Sequence, residues 1–320
     1  MQYRCAILDD YQNVALASAN WSALGPEVEI SVLHEHLEGA EAVVAALADF
    51  DILCLMRERT PLSRDVIERL PKLKLILTTG MRNVAIDVAA AHNRGVLVCG
   101  TGMGGPATAE LVFAHILEFA RKVGLENARL KAGGSPWQTT IGIELAGKTL
   151  GIVGLGRLGR HVAAIGAAFG MPVIAWSENL TPEKCAGTPA TYVDREALFA
   201  TSDFVSIHLQ LSDRTRGLLG ATDLERMKPT AFLVNTSRGP IIDESALIAA
   251  LRQGRIAGAG LDVFDREPLP LDNPLRALPT AQLTPHLGYV TQEGYRAGYG
   301  QMVEDIVAYR RGTPVRVIEA

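Results

Sequence analysis

Thr149–Gly170, TLGIVGLGRLGRHVAAIGAAFG, constrains this chain more than any other stretch. An apolar run that reads as a strand passes into Gly154-Leu155-Gly156-Arg157-Leu158-Gly159 and then into a helix-like segment. In a dinucleotide turn the first glycine permits the tight bend, the second lets backbone approach a pyrophosphate, and the third lets helix pack on strand. N–H groups at the helix start then face the anion. Gly154, Gly156 and Gly159 stand in that context, with Arg157 and Leu158 between them. A lone GxGxxG is weak evidence, so the rest of the chain has to supply what such a turn needs. A second run, GIELAGKT from Gly142 to Thr149, fits the pattern GxxxxGK[ST] letter for letter. It runs into a strand instead of following one and opening a helix, which rejects ATP binding at a P-loop.

Short β-like runs alternate with amphipathic stretches along the chain. CAILDD, ILCLM, LKLILTTG and VLVCG are separated by EGAEAVVAALADF, SRDVIERLP and AIDVAAAHNRG. The alternation resumes after Leu150 with LGIVG, PVIAWS, FVSIHL, AFLVNT, AGAGLDV and AQLTPH as the strand-like runs. Such alternation implies parallel sheets with helices on both faces. Between the two blocks, Ala107 to about Lys122 reads as a crossover helix and Lys131–Gly142 as an irregular excursion. TQEGYRAGYGQMVEDIVAYRRG reads as a further helix, and PVRVI after it as a return to the first block. The chain has 320 residues, about twice a usual domain of roughly 100–200, so two domains are expected. The fold class expected is α/β, with two doubly wound parallel-sheet domains.

Thirty-one Lys and Arg against 35 Asp and Glu leave a net charge of −4, and no long basic run occurs. Electrostatics therefore gives no reason to expect nucleic acid or an anionic membrane as partner. An anionic substrate has to be held by local groups. Cys5, Cys54, Cys99 and Cys185 lack CxxC spacing, and the first three sit in apolar runs, as reduced buried thiols do. The start, MQYRCAILDDYQN, has aspartates where a signal peptide has its apolar segment, and no run reaches the ~18 apolar residues of a membrane span. A cytoplasmic protein is expected. His34, His36, His92, His115 and His161 lie in surface-type or helical contexts without metal-ligand support, so no metal is assigned.

Three polar clusters each follow a strand-like run: NTSRGP after Ala231–Val234, DVFDREP after Ala257–Leu261, and His286 after AQLTP. In an open parallel sheet, residues just beyond the carboxyl ends of strands line the ligand crevice. Arg238, Asp262, Glu267 and His286 are therefore expected to converge near the glycine turn. Arg supplies a planar fork for a carboxylate, His an acid or base near neutral pH, and Glu a partner for the imidazole. Those parts suit reduction of a 2-keto acid.

GKTLGIVGLGRLGR, FLVNTSRGPIIDESAL, GAGLDVFDREPLP and LTPHLG, in this order and spacing, resemble the signatures of the D-2-hydroxyacid dehydrogenase family. That family includes D-3-phosphoglycerate dehydrogenase and glyoxylate/hydroxypyruvate reductases. The resemblance implies a flavodoxin-like substrate domain from 1–106 and 288–320, with a Rossmann nucleotide-binding domain, 107–287 including the crossover helix, inserted in it. It also implies a homodimer, and hydride transfer between NAD(P)H and a small 2-keto acid to give a D-2-hydroxy acid. On the matching positions it gives His286 as proton donor, Glu267 as its partner, and Arg238 as ligand of the substrate carboxylate and carbonyl. Asp262 would accept from the nicotinamide carboxamide, and Thr236 would lie against the coenzyme. Backbone N–H groups of Thr79, Gly80 and Met81 would hold the carboxylate, and Arg57 matches a position where members with anionic substrates carry arginine. A formate-dehydrogenase-like enzyme pairs its histidine with glutamine, so Glu267 argues against it. A nicotinamide-nucleotide-sensing, corepressor-like protein on the same fold is the alternative from another class.

Two departures border the substrate. Arg82 and Val84-Ala85 stand in GMRNVAID where many members have a glycine and then a polar pair, and Tyr289 stands where glycine is frequent. The particular acid is therefore left open. The coenzyme turns on PVIAWSENL. Counting 177 − 159 = 18 residues past the third glycine puts Ser177 where NAD enzymes carry an acid for the ribose 2′-OH. Glu178 follows, and Lys184 and Arg157 are the candidate phosphate contacts, so the pattern leans slightly to NADP(H) over NAD(H).

Overall fold

The computed structural model describes residues 2–102 and 105–319. The chain divides into two units, Met1–Gly105 with Val290–Ala320, and Pro106–Tyr289.

In unit 1 the strands are β1 (Tyr3–Ile7), β2 (Val28–Val32), β3 (Ile52–Leu55), β4 (Leu75–Thr78) and β5 (Leu97–Gly100). They pair in parallel in the order β2-β1-β3-β4-β5. Between them run α1 (Ala15–Ser18), α2 (Gly39–Leu47), α3 (Arg64–Glu68) and α4 (Val88–Asn93). Ser63 caps α3 through Val66 N, and Asp87 caps α4 through Ala90 N. Side chains two apart on a strand share a face, and Ala6, Leu8, Leu53, Leu55 and Ile76 form one core with Leu47 of α2, Ile67 of α3 and Ala91 of α4. The long closing helix (Gln292–Arg310, given its label below) packs along β4 and α1. Beyond it Val317 bridges Cys99 in antiparallel sense and Ile318 N donates to Val98 O at 2.9 Å, so PVRVI does return to this sheet.

Unit 2 opens with α5 (Ala107–Arg121), which stops where Lys122 turns left-handed at φ 51°, and continues as α6 (Val123–Lys131). The rest alternates β6 (Leu150–Val153), α7 (Arg157–Ala168), β7 (Val173–Trp176), α8 (Pro182–Cys185), β8 (Ala190–Tyr192), α9 (Arg195–Thr201), β9 (Phe204–Ile207), α10 (Ala221–Arg226), β10 (Phe232–Asn235), α11 (Glu244–Arg252), β11 (Gly258–Leu261) and β12 (Ala281–Leu283); Gln292–Arg310 in unit 1 is α12. The seven parallel strands run β12-β11-β10-β9-β6-β7-β8. Alternate residues serve opposite cores: Ile152, Phe204 and Val234 meet α5 and α7, whereas Val153, Val205 and Leu233 meet α9, α10 and α11. The sheet is therefore covered on both faces, as the strand–helix alternation requires. Gly142–Lys148 leads straight into β6 without opening a helix. Among the described residues no helix is long and apolar enough to cross a membrane.

Candidate active site

The turn after β6 has the shape its glycines foretell. Gly154 sits at φ 100°, and a Cβ there would stand 2.7 Å from His208 O at the exit of β9. A Cβ on Gly159 would overlap Gly154 O, so helix and strand approach as closely as backbone allows. Gly156 faces open space, with nothing within 4 Å of a Cβ, where a pyrophosphate needs access to backbone. Arg157 is exposed and Leu158 is half-buried at the start of α7. Thr236, just past β10, is buried with its hydroxyl unpartnered among the described residues. An orphaned buried hydroxyl costs free energy unless a ligand or water meets it. Open backbone and orphaned hydroxyl both fit a nicotinamide nucleotide.

Ser177 directly follows β7 and accepts from Leu180 N at 3.0 Å, closing a turn that leaves Glu178 exposed. Lys184 Nζ donates to Asn179 O in that turn at 2.6 Å, and Arg160 donates to Lys184 O at 2.7 Å. Arg160 was not singled out in the sequence, although it lies one helical turn beyond Arg157.

Glu267 and His286 meet at the β11 and β12 exits. Glu267 Oε1 accepts from Phe264 N at 2.9 Å, which fixes the carboxylate, and Oε2 lies 2.6 Å from His286 Nδ1. The imidazole keeps its other nitrogen for a ligand. Tyr289 packs edge-on against the ring, centroids 5.5 Å apart. Arg238 follows β10, its guanidinium donating to Ser237 O at 2.7 Å. A Cβ on Gly239 would overlap the backbone of Phe264 and Asp265, so the arginine loop lies directly on the glutamate loop.

Asp262, the first residue past β11, is fully buried and organises the His286 loop. Its Oδ1 accepts from Thr284 Oγ1 at 2.6 Å and Leu287 N at 2.7 Å, and its Oδ2 from Gly288 N at 2.9 Å. Burial pushes its pKa up, while these donors pull it down. With two acceptor sites on each oxygen, only Oδ2 retains room for another donor. His115, expected in a surface-type or helical context, is helical, on α5, but buried, and bonds Thr284 Oγ1 through Nε2 at 3.1 Å. Its phase with Val112, Ile116 and Ala120 on the buried side of α5 was the available signal.

In unit 1 the carboxyl edge gathers Arg57, Thr79 and Gly80. Arg57 N donates to Thr79 Oγ1 at 2.8 Å and its guanidinium to Thr79 O at 3.3 Å. A Cβ on Gly80, itself at φ 94°, would stand 2.5 Å from Arg57 Nη1. The expected cradle of three amides is corrected at Thr79. Its N–H is spent in the sheet on Leu55 O at 3.2 Å, so Thr79 anchors Arg57 and offers no amide to a ligand. Gly80 N donates to the Thr101 hydroxyl at 3.2 Å, and Met81 beyond it is exposed, as is Arg82.

Residues 113–288 match the family described as D-isomer specific 2-hydroxyacid dehydrogenase, NAD binding domain. A glyoxylate reductase of Thermococcus litoralis is 37% identical over 292 residues, 88% of this chain and 84% of that one. A glyoxylate reductase of Aeropyrum pernix is 41% identical over 257 residues, 78% and 76% of the two chains. A solved phosphoglycerate oxidoreductase of Vibrio cholerae superposes with a TM-score of 0.90 at 36% identity, covering 97% of this chain and all of that one. The chain belongs to the D-2-hydroxyacid dehydrogenase family. It is thus a nicotinamide-dependent oxidoreductase acting on the CH–OH group of 2-hydroxy acids and the carbonyl of 2-keto acids.

Proposed function

We propose that this enzyme reduces a small 2-keto acid such as glyoxylate or hydroxypyruvate to the D-2-hydroxy acid. His286 gives the proton to the carbonyl oxygen, and Glu267 holds the ring. The observation that carries this reading is the 2.6 Å Glu267–His286 pair, whose carboxylate is itself fixed by Phe264 N. A reduced nicotinamide nucleotide supplies the hydride. Arg238 binds the substrate carboxylate and carbonyl, and Arg57 with the Met81 amide adds carboxylate contacts from unit 1, the substrate domain, the Gly80 N–H being taken by the Thr101 hydroxyl. Gly154, Gly156, Arg157, Leu158, Gly159 and Thr236 hold the nucleotide on unit 2, with the remaining Oδ2 site of Asp262 for the carboxamide. The test is oxidation of NADH and NADPH, followed at 340 nm, with glyoxylate, hydroxypyruvate, pyruvate and phenylpyruvate. Turnover with at least one, inhibited competitively by oxamate, is expected. No turnover with any of them would overturn the reading.

The preferred coenzyme is NADP(H). Ser177 neither repels a 2′-phosphate nor grips a 2′-OH with a carboxylate, and two cations stand nearby, Lys184 fastened to the adjoining turn and Arg160 to Lys184 O. Ser177→Asp is expected to shift kcat/KM toward NADH by about tenfold, or roughly 1.4 kcal/mol. A parent that already prefers NADH, with Glu178→Ala as the change that moves the preference, would place the ribose on Glu178. The enzyme works as a homodimer. Supporting this, α6 buries none of its residues, and Leu125, Leu130, Trp137 and Ile141 are exposed together along α6 and the segment after it. Apolar exposure on that scale favours a protein partner. The four cysteines are buried free thiols, which supports a reducing cytoplasm as the site of action.

A further inference from the structure

We propose that His115 and Thr284 are positioning residues for His286, acting as a donor chain that begins in α5 and ends on the carboxylate fixing the acid's backbone. The inference rests on the reading of His286 as the proton donor.

A threonine hydroxyl has one hydrogen. At 2.6 Å from Asp262 Oδ1 that hydrogen is committed to the carboxylate, so toward His115 the hydroxyl only accepts. The proton of the 3.1 Å contact therefore sits on His115 Nε2, which sets the tautomer. Burial pushes the His115 pKa down, while the Asp262 carboxylate and a side-chain hydrogen bond with Gln282 pull it up. Gly260 makes room for the ring: a Cβ there would stand 2.8 Å from the Cβ, Cγ and Nδ1 of His115. Asp262 then passes the constraint on. Leu287 N and Gly288 N, the two amides after His286, both donate to it. His286 needs such holding because its φ of 56° is a left-handed conformation that side chains other than glycine rarely adopt. α5 reaches the same loop a second time, since Thr108 Oγ1 donates to Gly288 O at 2.7 Å. Residues 108 and 115 are two helical turns apart, hence on one face.

The consequence is that kcat should depend on His115 and Thr284 although neither is placed against substrate. The test is a double-mutant cycle in the full-length enzyme, with kcat, the KM of the keto acid and thermal unfolding measured for each variant. Thr284→Val is expected to lower kcat about tenfold and His115→Leu about three- to tenfold, with KM changed less than about twofold. The double variant should be no slower than Thr284→Val, because a broken chain cannot be broken twice. Thr284→Ser, which keeps the hydroxyl, should recover kcat to within about threefold of the parent. Multiplicative losses in the double variant, or a serine variant as slow as the valine one, would overturn the chain. Should His115→Leu fail to fold, Thr284→Ser against Thr284→Ala decides by the same criterion. His286→Ala separates the two failures: if it retains turnover the acid assignment itself is wrong, whereas a dead His286→Ala beside additive losses removes only this inference.

Discussion

The two sheets are wound alike, yet their carboxyl edges are furnished differently. In unit 2 the groups at the β11 and β12 exits are bonded to one another: Glu267 to Phe264 N and His286, Asp262 to Thr284, Leu287 and Gly288. In unit 1 a cation, Arg57, is held from its backbone while the neighbouring loop turns apolar side chains outward, Met81 at 49% and Val84 at 64% exposure. Both edges carry a side-chain residue in the left-handed region, His286 at φ 56° and Arg57 at φ 54°. Such strain persists only where the surroundings over-determine it. Around His286 a buried carboxylate does so, and around Arg57 the Asn83 amide does, donating to Arg57 O at 2.7 Å. The difference fits a division of labour. Proton transfer demands a reacting atom held within about 0.5 Å, whereas binding a variable substrate side chain tolerates a looser wall.

Breaking the unit 2 edge should have the largest effect. His286→Ala is expected to lower kcat on the order of 10²–10⁴-fold, the range of general acid catalysis, with reduced coenzyme still bound. Steady-state kinetics beside fluorescence titration of the coenzyme checks this. Gly239→Ala comes next. Its methyl meets main chain at Phe264 and Asp265, which no rotamer change can relieve, so activity should fall about a hundredfold or the protein should fail to accumulate folded. A fully active, equally stable Gly239→Ala would mean that the two loops do not rest on each other. At the unit 1 edge Arg57→Ala should raise the KM of the keto acid about tenfold and leave kcat within about twofold.

The smallest effect on activity is expected in unit 1 away from its carboxyl edge, where the change falls on stability instead. Burial pushes Asp305 up to about 7, while Arg316 beside it pulls the other way. A carboxyl whose folded pKa is raised stabilises the fold below its unfolded value, and that contribution is lost as pH rises through the folded value. Between pH 4 and 7 the parent should therefore lose stability relative to Asp305→Asn, by at most about 4 kcal/mol for a shift of roughly three pH units. Melting temperatures of the pair at pH 5 and pH 8 give the sign. An asparagine variant that falls further behind the parent as pH rises would contradict it.

The same contrast runs through what the sequence discloses. The exits of unit 2 are legible because NTSRGP, DVFDREP and LTPH keep chemistry-bearing residues at fixed distances from apolar strands. β2 escaped notice because Val28–Val32 is mostly half-exposed and gives no apolar run, and β8 because it is only Ala190–Tyr192. α6 has no buried residue, so no apolar period marks it, and its segment falls between the helix and the excursion that the sequence shows. His115 was passed over as a helical histidine because a polar residue on a buried face shows only through the phase of its neighbours. Arg57 was found as a residue type at a strand end. Its left-handed backbone, and the diversion of the Thr79 amide to Leu55, depend on the register of β3 and β4 and leave no trace in the local sequence.

The division of labour is tested most directly by stopped-flow single turnovers of Arg57→Ala and His286→Ala at saturating keto acid, with reduced coenzyme absorbance followed at 340 nm. The account predicts that Arg57→Ala keeps the parent's rate constant within about twofold once saturated, while His286→Ala stays at least about a hundredfold slower at any concentration. Equal losses in the two variants, or a His286→Ala rescued by raising substrate, would contradict it.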